Sequence, residues 1–128
     1  MIKQYLTSLL AFVLIDGAWL GLVAPKFYQE YIGHLMKPEA DLKAAVLFYL
    51  LFLVGLNLFV ISPHREAGLW TVAAYGAAFG MITYATFDLT SVAVFRDFPY
   101  LVAWVDMAWG ALLCASISVI TAWTCGVK

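Results

Sequence analysis

Four long apolar runs are the feature that most constrains how this chain folds. The runs cover residues 5–23, 44–62, 69–95 and 101–124. A helix needs about 20 apolar residues to cross the ~30 Å hydrocarbon core of a bilayer, and each run comes close to that length or exceeds it. All four prolines lie in the gaps between the runs, where a missing backbone donor costs little. The sequence therefore predicts an all-α integral membrane four-helix bundle that forms one transmembrane domain over residues 1–128.

Composition agrees with a membrane location and excludes other classes of protein. Of the 128 residues, 65% are hydrophobic and 12% are charged, against roughly 45–50% and 25% in soluble domains. The net charge is −1, so the chain lacks the excess of basic residues that is typical of a nucleic-acid binder. Cys114 and Cys125 lie about 16 Å apart along one helical run, which is too far for a disulfide. The lipid bilayer is thus the expected environment, and no nucleic-acid partner is expected.

The segment between the first two runs has a pattern of its own. Residues 26–36 carry apolar and aromatic side chains at helical spacing, with charged residues and His34 at the polar positions. This pattern is typical of an amphipathic helix that lies in the membrane interface. We expect a short interfacial helix here, with an irregular polar loop as the alternative.

Three carboxylates interrupt the apolar runs, namely Asp16, Asp88 and Asp106. An Asp at the centre of a membrane helix costs about 2.5–3.5 kcal/mol on insertion scales, so each one needs an explanation. At 1.5 Å per residue they lie roughly 3, 10 and 9 Å from the midplane. Because successive helices reverse direction, all three are displaced toward the face that carries the first and third loops. We predict one acidic cluster below these loops.

Aromatic and hydroxyl side chains accompany these acids. The first and last helices both carry the pattern D-x-x-W, which places an indole donor on the same helix face as the acid. The predicted ligand-binding residues are the acids and their neighbours, namely Asp16, Trp19, Tyr84, Asp88, Thr90, Asp106 and Trp109. Two alternatives remain open: protonated acids that only tie helices together, and an Asp88 that caps a helix break.

Glycines and one amide indicate how the helices are held together. Gly17 and Gly21 form one GxxxG pair, and Gly76 and Gly80 form another. Such pairs let helix backbones approach closely in lipid. We expect the first and third helices to pack through them, with homo-oligomerisation through the same faces as the alternative. Asn57 is expected to form an interhelical hydrogen bond.

Established catalytic motifs are absent from the sequence. His34 and His64 lie in predicted loops and outside any metal-ligand spacing, so no metal site is predicted. The sequence has no glycine-rich phosphate loop, and no serine has a histidine partner in an evident triad. The cofactor, if any, stays unknown.

Three sequence blocks resemble a known family. LIDGAWLG, ATFDLTS and VDMAWG, in that order, resemble small bacterial membrane proteins grouped as the domain of unknown function 2177 family. The resemblance covers nearly the whole chain and implies a multi-pass protein of the bacterial inner (cytoplasmic) membrane. It implies no activity. It marks as family-type residues of unknown role Asp16, Trp19, Asp88, Thr90, Asp106, Trp109 and Gly110.

Three classes of function follow from the sequence. The first is binding or translocation of a proton, a cation or a small polar ligand in an acidic and aromatic pocket, with Arg96 as a counter-charge. The second is a membrane-embedded enzyme acting on a lipid or isoprenoid, in which two acids divide the roles of acid and base. The third is a structural or accessory subunit of a membrane complex. Orientation stays open, because basic residues divide nearly evenly between the two sides.

Overall fold

The computed structural model describes residues 2–125, which form helices and no strand. Four helical segments are long and apolar enough to cross a membrane: Ile2–Leu35, Leu42–His64, Leu69–Val94 and Tyr100–Cys125. The α-helices within them are α1 (Ile2–Ala18), α2 (Ala24–Ile32), α3 (Leu42–Leu56), α4 (Ser62–His64), α5 (Leu69–Val94) and α6 (Tyr100–Cys125). The prediction of an all-α fold with four membrane-spanning segments is confirmed.

Two of the prolines lie inside helical segments. A π-helical turn, Trp19–Val23, joins α1 to α2, and a second one, Asn57–Ile61, joins α3 to α4; the first N–H after each turn donates to the carbonyl five residues earlier. Pro25 and Pro63 follow these turns at the same spacing. A proline lacks the N–H and crowds the carbonyl four residues before it, and the wider turn accommodates this. The expectation that these prolines and His64 lie in loops is therefore wrong.

The segment over residues 26–36 is helical but continues the first helix. Ala24–Ile32 is α-helical and Gly33–Leu35 forms a 3₁₀ turn. With α1 they form one segment of 34 residues, about 51 Å long at 1.5 Å per residue, so part of it extends beyond a ~30 Å hydrocarbon core. Its aromatic face packs on protein, because Phe27 and Tyr31 contact the cluster around Val102 at the start of α6.

Glycines let α5 and α6 make the most extensive helix contact in the described chain. A Cβ at Gly80 would lie 2.0 Å from the carbonyl oxygen of Gly110, and one at Gly76 would lie 2.8 Å from that of Cys114. A Cβ at Gly17 or at Gly21 would meet nothing within 4 Å. The expectation that the glycine pairs join the first and third helices is therefore wrong. The third helix uses its glycines to pack on the fourth.

An apolar layer crosses the middle of the bundle. It consists of fully buried side chains from α1, α3 and α6, namely Phe12, Leu53, Leu56, Leu113 and Ile117. On α1, the polar residues Ser8 and Asp16 lie on either side of Phe12, one turn away in each direction. The layer therefore separates two polar regions of the protein interior.

The polar region on the side of the chain's first residues is a hydrogen-bonded network. The Gln4 amide donates to Asn57 Oδ1 and to Ser62 Oγ, both at 2.9 Å. Asn57 Nδ2 donates to Ser8 Oγ at 2.9 Å, and Arg65 donates to Gln4 Oε1 at 3.0 Å. The predicted interhelical hydrogen bond of Asn57 is confirmed. The roles of Gln4 and Arg65 were not predicted, since each depends on where the other helix lies.

Candidate functional site

The first and third loops meet on the opposite side of the bundle. His34 Nε2 lies 3.5 Å from Asp97 Oδ2, which places the two loops on one face as the span count predicts. Below this face, Asp16 and Asp106 line a common cleft, and Asp88 interacts electrostatically with Asp106. The structure therefore brings the three acids of three different helices together.

Asp16 joins three helices through its two oxygens. Trp109 Nε1 of α6 donates to Asp16 Oδ1 at 3.1 Å, and the Tyr49 hydroxyl of α3 donates to Oδ2 at 3.0 Å. The residue is 6% exposed, so these bonds replace most of its contact with solvent. Two donors on one carboxylate hold its orientation and tie α1 to α3 and α6.

The indoles of the two D-x-x-W patterns lie against each other. The rings of Trp19 and Trp109 stack with centroids 4.4 Å apart and planes 10° apart. Trp19 is the first residue of the π-helical turn, where the helix widens. The Trp109 N–H serves Asp16 on the neighbouring helix, although the spacing alone places it near Asp106 of its own helix. In this pair of helices, the tryptophan of the second D-x-x-W pattern therefore bonds to the aspartate of the first.

Asp106 is held by a residue that the sequence did not indicate. The Tyr28 hydroxyl donates to Asp106 Oδ1 at 2.5 Å. Tyr28 belongs to α2, and it reaches the site because the π-helical turn carries the helix on past Pro25 toward the start of α6. Its helical spacing in the amphipathic segment was visible in the sequence, but that segment was expected to form a separate short helix in the membrane interface.

Asp88 is the least exposed of the three acids. It is 0% exposed, and neither of its oxygens has a hydrogen-bond partner among residues 2–125. It lies inside α5 (Leu69–Val94), so the alternative in which it caps a helix break is wrong. Its neighbour is the carboxyl of Asp106. Two adjacent carboxyl groups repel each other when both are ionised, so a shared proton or a bound cation stabilises such a pair.

The acids and aromatic rings border a cleft of about 250 Å³. Its walls include two carboxylates, two indoles and two phenols, from Asp16, Trp19, Tyr28, Tyr84, Asp106 and Trp109. Gly110 allows Tyr84 to pack against α6, because a Cβ at this position would lie 2.5 Å from the Tyr84 ring. This gives a physical reason for a glycine directly after Trp109.

Two residues expected near the acids lie elsewhere. Thr90 is exposed, and its hydroxyl donates to carbonyl oxygens of its own helix, those of Thr86 and Phe87. Arg96 is exposed, and the described residues form no ion pair between it and the three acids. The acid cluster therefore has no arginine as a counter-charge in this part of the chain.

The donor set does not resemble a metal centre. Within residues 2–125, no group of three His, Cys, Asp or Glu side chains is placed to hold a metal ion. The surroundings of the acids are aromatic rings and hydroxyl groups. Such walls are better suited to contact an organic molecule than to coordinate a metal ion.

These features define a class: an integral membrane protein of four helical segments with an acidic and aromatic cleft toward one face. A family model described as predicted membrane protein (DUF2177) matches residues 1–123, and the chain belongs to this family. The family suggested by the three sequence blocks is therefore confirmed. No curated protein matches the chain, and no solved structure matches it.

Proposed function

We propose that this protein binds a small organic cation in the cleft between Asp16 and Asp106. The observation that carries the proposal is the lining of the cleft, in which two carboxylates stand beside the stacked rings of Trp19 and Trp109. A cation within about 6 Å of an aromatic ring centroid is attracted to the ring face, most strongly by tryptophan. Carboxylates and indoles together favour an ammonium group over an anion.

The charge balance of the site supports a cationic ligand. Among the described residues, no Lys or Arg forms an ion pair with any of the three acids. Asp88 is buried beside Asp106 without a hydrogen-bond partner in this part of the chain. Two adjacent carboxyl groups repel each other when both are ionised, and a cation bound at Asp106 would offset that repulsion.

The apolar layer favours binding from one face over passage through the protein. Phe12, Leu53 and Leu113 are each 0% exposed and lie between the acid cluster and the network around Asn57. An ion that crossed this layer would lose its polar contacts, which is expensive. The proposed activity is therefore binding at the face of the first and third loops.

The proposal is tested by ligand-dependent stability of the purified protein in detergent. Anything that binds only the native state raises stability by mass action. We expect tetramethylammonium to raise the melting temperature of the parent protein, and sodium and potassium to have a smaller effect. Asp106→Asn and Trp19→Leu should lose this response, whereas Asp97→Asn, an exposed loop acid, should keep it.

The opposite results would assign the acids another role. If tetramethylammonium shifts no variant, or shifts Asp106→Asn as much as the parent, the cleft is not a cation site. If Asp106→Asn also unfolds at the parent temperature, Asp106 contributes little to stability, and a structural role for it as a helix tie is excluded as well.

A further inference from the structure

A second cleft adjoins the first at Asp106. It has a volume of about 400 Å³ and is lined by Phe48, Thr83, Tyr84, Phe87 and Asp106. Tyr84, Phe87 and Asp106 border both clefts. Asp106 therefore lies where an acidic cleft and an aromatic one meet.

The second cleft opens between α3 and α5. Phe48 of α3 is 46% exposed and Phe87 of α5 is 60% exposed, and both lie within membrane-spanning segments. In a bilayer, the exposed side of such a residue faces acyl chains. The Thr83 hydroxyl donates to the carbonyl oxygens of Phe79 and Gly80 at 2.8 and 3.2 Å, so the walls offer mainly aromatic and methyl surface. Asp106 is the acidic residue of this lining.

A second acid, Asp88, lies next to Asp106. It is 0% exposed, and both its oxygens lack a hydrogen-bond partner within residues 2–125. It interacts with Asp106, the residue that both clefts share. A positive charge at Asp106 would therefore lie near two carboxyl groups, while any apolar chain attached to it could extend between Phe48 and Phe87.

We infer that the ligand is a cationic amphiphile that enters sideways from the bilayer. Its ammonium head lies at Asp106 and its alkyl chain lies in the cleft between α3 and α5. This inference rests on the proposed cation site and adds the class of molecule and its route. It also explains why an acidic site lies within membrane-spanning segments. Amines with one alkyl chain dissolve in the bilayer and can reach such a site from the lipid.

The test compares two probes in lipid nanodiscs, tetramethylammonium and dodecyltrimethylammonium, with empty nanodiscs subtracted. Thr83→Trp places a large ring in the second cleft. The matched control is Thr86→Trp, because Thr86 is an exposed position of the same helix that does not line the cleft. We expect Thr83→Trp to weaken dodecyltrimethylammonium binding roughly tenfold or more and tetramethylammonium binding by less than about twofold. Thr86→Trp should change neither, and Asp106→Asn should weaken both.

The outcomes separate the two proposals. If Thr83→Trp leaves dodecyltrimethylammonium binding unchanged while Asp106→Asn abolishes tetramethylammonium binding, the lateral route is wrong and the cation site stands. If tetramethylammonium does not bind the parent, both proposals fail.

A second measurement uses the parent protein alone, so that it does not depend on the folding of a variant. A photoreactive group at the chain end of the dodecyl probe should label α3 and α5 near Phe48 and Phe87. An excess of tetramethylammonium should remove this labelling. Labelling spread evenly over all lipid-facing helices, or unaffected by the competitor, would overturn the inference.

Discussion

Trp109 stacks on Trp19 with ring centroids 4.4 Å apart while its N–H donates to Asp16. One side chain of α6 thus contacts both the acid and the indole of the first D-x-x-W pattern. Because stacking and hydrogen bonding restrict different motions of the ring, this wall of the cleft is held in place by contacts within the protein. Preorganisation of this kind lowers the cost of binding.

Trp109→Phe should destabilise the protein more than loss of an ordinary surface indole. The variant removes the donor to Asp16 Oδ1 and reduces the stacked area, which we expect to cost about 1–3 kcal/mol. Thermal unfolding in detergent measures the loss. Trp123→Phe is the control, since Trp123 is 70% exposed. Equal melting temperatures for the two variants would contradict the structural role assigned to Trp109.

Asp16→Asn and Asp16→Leu should differ in stability. Asn keeps an oxygen for the Trp109 donor and has an amide that can donate to the Tyr49 hydroxyl. The free energy of unfolding of Asp16→Asn should therefore fall by only about 1 kcal/mol, the typical net contribution of one hydrogen bond. Leu leaves both donors without their acceptor, which should cost about 1–3 kcal/mol for each donor. Unfolding of the two purified variants side by side measures the difference. If Leu is tolerated as well as Asn, the two hydrogen bonds do not hold the helices together.

Gly80→Ala should weaken the contact between α5 and α6. The added Cβ would lie 2.0 Å from the backbone oxygen of Gly110, and a backbone atom cannot rotate away as a flexible side chain can. Overpacking of this kind typically costs about 1–3 kcal/mol. Gly17→Ala is the matched control, because its Cβ meets nothing within 4 Å. The melting temperature should fall for Gly80→Ala alone, and a fall in both variants would instead indicate a shared property of the GxxxG pairs.

Asn57→Ala should destabilise the bundle at the end away from the acids. The variant removes the acceptor for Gln4 and the donor to Ser8. Hydrogen bonds between membrane helices average about 0.6 kcal/mol each, so a loss near or above 1 kcal/mol is expected. Ser116→Ala provides the comparison, because the Ser116 hydroxyl donates only to a carbonyl of its own helix, that of Leu112. Ligand-induced stabilisation by tetramethylammonium should persist in Asn57→Ala, since the apolar layer separates the network from the cleft.

Local pattern was sufficient to count the spans and to expect the three acids on one side of the bundle. Hydropathy and helical rise are properties of a single segment, so the runs could be counted and Asp16, Asp88 and Asp106 could be assigned to one side of the membrane. Asn57 could be assigned to an interhelical bond because an amide within an apolar helix has few other partners. The particular partners, Gln4 and Ser8, required the packed helices.

The expectations that failed depended on how one helix meets another. Pro25 reads as a helix end, yet a π-helical turn carries the helix past it and delivers Tyr28 to Asp106. A GxxxG pair predicts a contact face but does not indicate which helix packs on it. In the structure, Gly80 faces Gly110. Thr90 lies two residues from Asp88, but a helix turns through about 200° over that distance, which directs Thr90 away.

The sequence by itself determined that this chain is an all-helical membrane protein with acids at one level, because hydrophobicity and spacing along a helix are read residue by residue. Only the tertiary structure decided that Trp109 serves Asp16, that Tyr28 holds Asp106 and that Asp88 is buried without a hydrogen-bond partner among the described residues. These contacts depend on helix rotation and on the π-helical turns. Both are set by close packing between segments that lie far apart in the chain.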